Sequence, residues 1–359
     1  MKQTASPGVS RRALLRLAAG AAAALAAGPG IARPRRAGAA TTPIEHLVII
    51  LRENHSYDNY FGAFPGGDGK TVGARCLDEN PDPPHLREHA LRGVVVGGNG
   101  YCHYREEAVP NYWAYARAFT LCDNYFGEVR GPSVPNYVML MAAQTPMLDN
   151  PPRGSGRLEI PAITDRLDER GVEWANYSGG IFMVSMFKNA FASGRIRPEF
   201  AFDAAAAAGR LPAVTWLTPS LGDSEHPPAS VRRGENWTVA RINALMQGPQ
   251  WPRCAVLVVW DEWGGFWDHV KPPVVEKEPG FFGQAVRYGY RIPCLVIGPH
   301  ARRGHVSHTL YSHVSVLRTI ERLFDVKPLT ERDASANDLL DCFDFRQEPR
   351  APLVLPLRT

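Results

Sequence analysis

The sequence predicts an α/β protein with a mostly parallel central sheet and helices on both faces. Short, wholly apolar runs recur along the chain, the clearest being Cys254-Ala255-Val256-Leu257-Val258-Val259-Trp260. A strand that lacks polar alternation is one that both faces of a sheet bury. Segments of helical periodicity separate those runs, as the crossovers of a parallel sheet require. The composition, 45% hydrophobic and 21% charged over 359 residues, supplies a sizeable core.

In chain order, residues 1–40 read as a targeting segment and linker. Ser10-Arg11-Arg12-Ala13-Leu14-Leu15 sets twin arginines before an apolar stretch from Leu14 to Ala27, and small residues follow at Ala37-Gly38-Ala39-Ala40. This resembles a bacterial twin-arginine (Tat) export signal. A membrane anchor or a chance arginine pair is the alternative, but the stretch is short for a span of about 20 residues. The expectation is export by the Tat machinery to the periplasm or beyond.

A domain is expected over residues 41–347. Ile44–Leu51 is a β-branched run without turn residues, hence a buried strand. A loop-rich stretch of Gly, Pro and His follows over residues 62–110. Helices are expected at Tyr112–Phe119, Val134–Gln144, Ile163–Arg170, Ala201–Leu211, Trp237–Met246 and Ser312–Phe324. Ser133 stands as an N-cap for the second, with Pro135 in its first turn. Further strands are expected at Val172–Tyr177, Ala213–Leu217, Cys254–Trp260 and Ile292–Ile297. Residues 348–359, rich in Pro and Arg, form a peripheral tail.

The net charge of +4 is small for this length, and the body holds no Lys/Arg-rich run, which argues against a nucleic-acid partner. The six cysteines form no CxxC pair, so a zinc–thiolate site is not expected. Outside the cytoplasm disulfides are allowed. Cys254 and Cys294, inside apolar strands, read as small buried hydrophobes.

Ligands of open α/β sheets collect beyond the carboxyl ends of strands. Two runs deliver polar pairs there: Glu53-Asn54 after the first strand and Asp261-Glu262 after the Cys254–Trp260 strand. Adjacent buried carboxylates repel one another unless something compensates, and a divalent cation is the simplest compensation. Either pair alone is an ordinary polar turn; two at one sheet edge indicate a site.

Five segments in order carry a family resemblance. They are Glu53-Asn54-His55-Ser56-Tyr57-Asp58-Asn59-Tyr60-Phe61-Gly62, Gly131-Pro132-Ser133-Val134-Pro135-Asn136, Glu225-His226-Pro227-Pro228, the stretch from Asp261 to Val270, and the stretch from Tyr311 to Glu321. Ala336-Asn337-Asp338-Leu339 also fits. Together they resemble the bacterial phosphoesterase family of phospholipase C and acid phosphatase type, over residues 44–345. The resemblance implies an alkaline phosphatase-like fold and hydrolysis of phosphate esters, phospholipids among them.

It further implies that Glu53, Asn54, Ser133, Asp261 and Glu262 hold a metal and that Ser133 is the nucleophile, forming a phospho-enzyme. Taken alone, Ser133 would be a plain helix cap. As a nucleophile it needs a lowered pKa, which a metal supplies, and a helix N-terminus favours phosphate. His226 and His85 are candidates to contact the phosphate or protonate the leaving group. The oxygen-rich donor set suits Ca²⁺, Mg²⁺ or Mn²⁺, with Zn²⁺ an open alternative. Gly264-Gly265 would let the backbone bend or pass close to the site. Asp268, His269 and His313 read as structural or supporting residues. Asn111-Tyr112-Trp113 and Trp263 with Phe266-Trp267 fit either a choline-binding box or core packing. The chain's length and the serine nucleophile favour a compact, phosphatase-like hydrolase. A non-catalytic exported binding protein that retains the fold is the alternative.

Overall fold

The computed structural model describes residues 42–93, 95, 98–152, 154–279 and 285–359. The expected export segment lies outside the described residues. Among them, no helix is long and apolar enough to cross a membrane.

Eight strands form the main sheet in the spatial order His305–Ser307, Thr120–Cys122, Cys294–Ile297, Cys254–Trp260, His46–Arg52, Val214–Thr218, Trp174–Ser178, Ile196–Pro198. Seven run in one direction. Cys294–Ile297 alone runs against both its neighbours. All seven residues of Cys254–Trp260 are buried, which a strand achieves only when both faces are covered. Two helix groups provide that cover. Val231–Gln247 packs with Pro110–Ala118 and Ala201–Ala207, while Ser133–Ala142 packs with Ile163–Arg170 and His313–Phe324.

The central pair fixes the geometry of everything at the carboxyl edge. His46–Arg52 lies parallel to Cys254–Trp260 in unbroken register, from His46 opposite Cys254 to Arg52 opposite Trp260. The residues that follow each strand, Glu53-Asn54 and Asp261-Glu262, are thereby side by side. Val214–Thr218 flanks the first strand on its other side and leads into the segment carrying Glu225-His226.

The stretch over residues 62–110 is built from small pieces. Ala74–Arg75 pairs with Cys102–His103, Cys76 forms a disulfide with Cys102, and Arg87–Arg92 is a short helix ended by Gly93. Cys254 and Cys294 are free and buried. The last residues follow the Val231–Gln247 helix. There the Leu355 amide donates to Asn243 Oδ1 at 3.1 Å and the Arg358 amide to Asn236 Oδ1 at 2.7 Å.

One local expectation is corrected. Ser133 is not the cap of its helix: Pro132 holds that position, and Ser133 is the first helical residue. Proline in extended conformation ends the approach, the Val134 amide donates to Asn150 Oδ1 at 3.0 Å, and the serine hydroxyl is free to point elsewhere.

Candidate active site

The hydroxyl of Ser133 points at the end of the first strand, where Oγ donates to Asn54 Oδ1 at 3.3 Å. Asn54 has a backbone φ of +47°, a left-handed conformation that Asn tolerates better than most residues. In that turn its amide donates to Asp261 Oδ1 at 3.1 Å, and its side-chain Nδ2 lies 3.1 Å from His85 Nε2. Asn54 therefore touches the neighbouring strand's carboxylate, the helix serine and the loop histidine. Gly264 packs on it so closely that a Cβ would stand 2.4 Å from the Asn54 carbonyl oxygen. Glycine is required there both for that approach and for its φ of +62°.

Three carboxyl groups are buried at this point: Glu53, Asp261 and Glu262. The Tyr137 hydroxyl, one helical turn beyond Ser133, donates to Glu53 Oε1, and the Gly264 amide donates to Glu262 Oε2 at 2.8 Å. Asp261 Oδ2 and Glu262 Oε1 are buried without a hydrogen-bond partner. Burial, together with Asp261 and Glu262, pushes Glu53 well above the usual carboxylate range. Burial also raises Asp261. Glu262 is pushed up to about 8 by burial and by Asp261, against the pull of His85. Buried acceptors without donors and mutually repelling carboxylates are the surroundings a cation relieves. The donors are hard oxygens, the chemistry of a divalent metal of the Mg²⁺, Ca²⁺ or Mn²⁺ kind.

Two histidines close the opposite side. His85 and His226 stand ring to edge, with centroids 5.5 Å apart. Each has Nδ1 at 2.7 Å from a prolyl carbonyl, Pro83 for the first and Pro227 for the second. Those contacts orient the two rings. His85 Nε2 is 3.8 Å from Glu262 Oε1, and its Nδ1 is 3.4 Å from Asp82. Burial pulls His85 down, but Glu262, Asp82 and the Pro83 carbonyl outweigh it and push the imidazole up to about 10.

All seven residues expected at the site, Glu53, Asn54, His85, Ser133, His226, Asp261 and Glu262, thus lie in one cluster. Four supporting residues were not foreseen. Tyr137 could have been found from its i+4 spacing to Ser133 on the helix, and Asp82 from its i−3 spacing to His85. Arg52 and Glu225 carry no local signal, being 173 residues apart. They form a fully buried ion pair at 2.7 Å. The Tyr60 hydroxyl donates to Glu225 at 2.7 Å and the Tyr112 hydroxyl at 2.5 Å. This pair ties the residue before Glu53 to the residue before His226.

His313 supports the site, with Nε2 at 2.7 Å from the Asp261 carbonyl oxygen and Nδ1 at 3.1 Å from the Tyr125 hydroxyl. Asp268 and His269 belong to a separate network with Asp58 that the Arg291 guanidinium fills. The aromatic residues considered for a choline box are mostly packing. Tyr112 and Trp113 lie in the core, Phe266 stacks on His55 at 4.7 Å, and Trp263 stacks on Tyr290 at 4.2 Å.

A mostly parallel sheet whose adjacent strand ends bring acidic residues to a helix-borne serine has the build of a hydrolytic α/β enzyme. A 2-O GAG sulfatase shares the fold, with a TM-score of 0.50 and 11% identity over 86% of this chain and 76% of that one. The chain belongs to the Phosphoesterase family, whose model matches residues 96–327. Phospholipase C B of Mycobacterium tuberculosis is 28% identical over 95% of this chain and 87% of its own length. Non-specific phospholipase C6 of Arabidopsis thaliana is 25% identical over 88% of this chain and 75% of its own. Family and relatives together make the protein a phosphoric ester hydrolase.

Proposed function

We propose that the protein is an exported, metal-dependent phosphoesterase of phospholipase C or acid phosphatase type. In this reading Ser133 attacks the phosphorus, and Glu53, Asn54, Asp261, Glu262 and Ser133 itself hold the metal. The observation that carries it is the contact of Ser133 Oγ with Asn54 beside two buried carboxylate oxygens that lack partners. A bound divalent cation supplies Lewis-acid polarisation of a phosphoryl oxygen and lowers the pKa of the serine hydroxyl.

The chain's own residues do the rest. Ser133 Oγ forms the bond to phosphorus as the bond to the alcohol oxygen breaks, its own proton passing to solvent. His85, its ring oriented by the Pro83 carbonyl, stands beside Asn54 to contact the phosphate. His226, oriented by the Pro227 carbonyl, gives a proton to the departing alcohol. It then takes one from the water that attacks the phosphoserine, while Ser133 Oγ leaves phosphorus and recovers its proton from solvent.

The phospholipase C relatives, matching 95% and 88% of this chain, favour a phospholipid diester over a monoester. A binding protein that merely keeps the fold finds no support in a site that keeps its serine and every acidic residue. The test is a paired assay with a chromogenic phosphomonoester and a chromogenic phosphorylcholine diester, with and without chelator. Ser133→Ala should retain the wild-type far-ultraviolet spectrum and melting point but lose at least about a thousandfold in kcat. Wild-type turnover in that variant, or in a fully demetallated preparation, removes the proposal.

A further inference from the structure

We propose that Arg87, Arg130 and Arg287 form a subsite for a second anionic group on the substrate, beyond the phosphate that is cleaved. The proposal rests on the phosphoesterase reading and deepens it by adding a substrate preference.

The three arginines come from three neighbouring parts of the chain, and Arg287 Nη1 donates to the Pro272 carbonyl at 3.1 Å. Arg87 lies two residues after His85 and opens the Arg87–Arg92 helix. Arg130 lies three residues before Ser133. Arg287 ends the Ala285–Arg287 strand. Arg87 Nη1 donates to the Arg130 carbonyl at 3.2 Å. The Gly289 amide donates to the Gly127 carbonyl at 2.8 Å, holding the Arg287 segment against the loop that carries Arg130. The Tyr290 hydroxyl donates to the Ala90 carbonyl at 2.9 Å, fixing the same segment to the helix of Arg87. Trp263, directly after Glu262, stacks on Tyr290. The arginines are therefore joined to the site's acidic edge through one aromatic stack.

Their charge is unbalanced. Among the described residues none of the three guanidiniums forms an ion pair, and all three are half-buried. Elsewhere the protein pairs arginines with acids: the buried Arg52 with Glu225 and Arg291 with Asp58 and Asp268, and the half-buried Arg358 with Glu235. Burial and Arg130 lower Arg87, with Asp149 the acid that offsets them in part. Burial lowers Arg130, Tyr290 opposes that, and Arg287 adds to it. A guanidinium stays charged under such pressure. Arg130 thus stands near two further cations that repel it, and an anion binding beside it relieves the repulsion.

In the proposed reading the cleaved phosphate is served by Ser133 and the two histidines. The arginines are left for a further negative group, and forked guanidiniums suit a phosphate or carboxylate. The shared chemistry is a phosphate ester carrying a second phosphate or carboxylate. It can come from an anionic phospholipid headgroup or from a soluble bisphosphorylated metabolite.

Two substrate pairs separate those sources, each differing by one phosphate: short-chain phosphatidylinositol 4-phosphate against phosphatidylinositol, and fructose 1,6-bisphosphate against fructose 6-phosphate. With the full-length protein, the more phosphorylated member of at least one pair should have a kcat/KM about tenfold higher, chiefly through KM. The pair that shows the preference identifies the source. In Arg87→Gln and in Arg287→Gln that ratio should fall towards one, and Arg87→Lys should keep part of it. A wild-type ratio of one in both pairs, or a ratio that both glutamine variants preserve, overturns the proposal. Calorimetric binding of inorganic pyrophosphate tests the subsite without turnover: Arg87→Gln should bind it about tenfold more weakly, and equal affinity overturns the subsite. A wild-type protein that turns over no phosphate ester but still shows this binding difference would fail the phosphoesterase reading alone.

Discussion

Replacing Glu225 by glutamine should destabilise the protein far more than an isosteric change ordinarily does. Glu225 and Arg52 have no exposed side-chain surface, and the carboxylate accepts from Arg52 Nε at 3.1 Å and Nη2 at 2.7 Å. At that shorter separation, an effective dielectric constant of about 20 gives a gross attraction of about 6 kcal/mol. Burial offsets part of it: Arg52, Tyr112 and Tyr60 pull the Glu225 carboxyl down, yet burial leaves it raised. The amide keeps the shape and some hydrogen bonds but leaves a buried guanidinium, whose Nη1 already lacks a partner, without its counter-charge. Breaking one side of such a pair costs about 3–5 kcal/mol. Glu225→Gln should fall at the lower end, near 3 kcal/mol, or about a hundredfold in the folded-to-unfolded ratio. Gly234 leaves the pair its room, since a Cβ there would stand 2.3 Å from Glu225 Cγ. The assay is urea unfolding followed by circular dichroism, with linear extrapolation to water. The double variant Arg52→Met, Glu225→Leu should recover most of the loss, because removing both charges leaves neither stranded. A loss below about 1 kcal/mol with an unchanged denaturant slope would refute the reasoning.

Reducing the Cys76–Cys102 disulfide, whose cysteines are 26 residues apart, should lower stability by about 3.5 kcal/mol from chain entropy alone. Unfolding with and without reductant measures it, and no difference would mean the disulfide does not form. Glu235 gives a pH dependence. Its carboxyl accepts from the Asn111 and Tyr112 amides at 2.8 and 3.0 Å and pairs with Arg358, yet burial pushes it up from 4.5 to about 7. The folded chain therefore binds this proton more tightly than the unfolded chain does. Its contribution to stability is greatest below about pH 4.5 and is lost as pH rises through about 7. Glu235→Gln should flatten that part of the profile of urea midpoints against pH, and an unchanged slope assigns it elsewhere.

The sequence made the centre of the sheet legible because that centre is buried on both faces. Cys254–Trp260 and Ile163–Arg170 appear with the expected boundaries. The shortest strands were harder: Thr120–Cys122, Ile196–Pro198 and His305–Ser307 have three residues each, too few to show a period. The helix expected at Trp237–Met246 begins at Val231, capped by Ser230. Its first turns read Arg232-Arg233-Gly234-Glu235, polar residues whose buried glycine and glutamate answer to partners far away in sequence. The same applies at the site. Glu53-Asn54 and Asp261-Glu262 could be placed because each ends an apolar strand, and Ser133 because it follows a proline at a helix start. The Arg52–Glu225 pair depends on two segments meeting in space, which no local pattern records.

The register of His46–Arg52 against Cys254–Trp260 also sets when the site can exist. The Asn54 amide and the Asp261 carboxylate it donates to are 207 residues apart. Contacts of such separation are made late in folding, after local helices and short loops have closed. Recovery of turnover during refolding is therefore a clock for the docking of the sheet's two middle strands, and the signals of helix formation should run ahead of it. During synthesis the same ordering means that Glu53 and Asn54 leave the ribosome long before their partners. A nascent chain that has not reached Glu262 lacks one of the two acidic strand ends of the proposed centre, so on that reading the phosphate esters of the cell that makes the protein are out of its reach until most of it has been built.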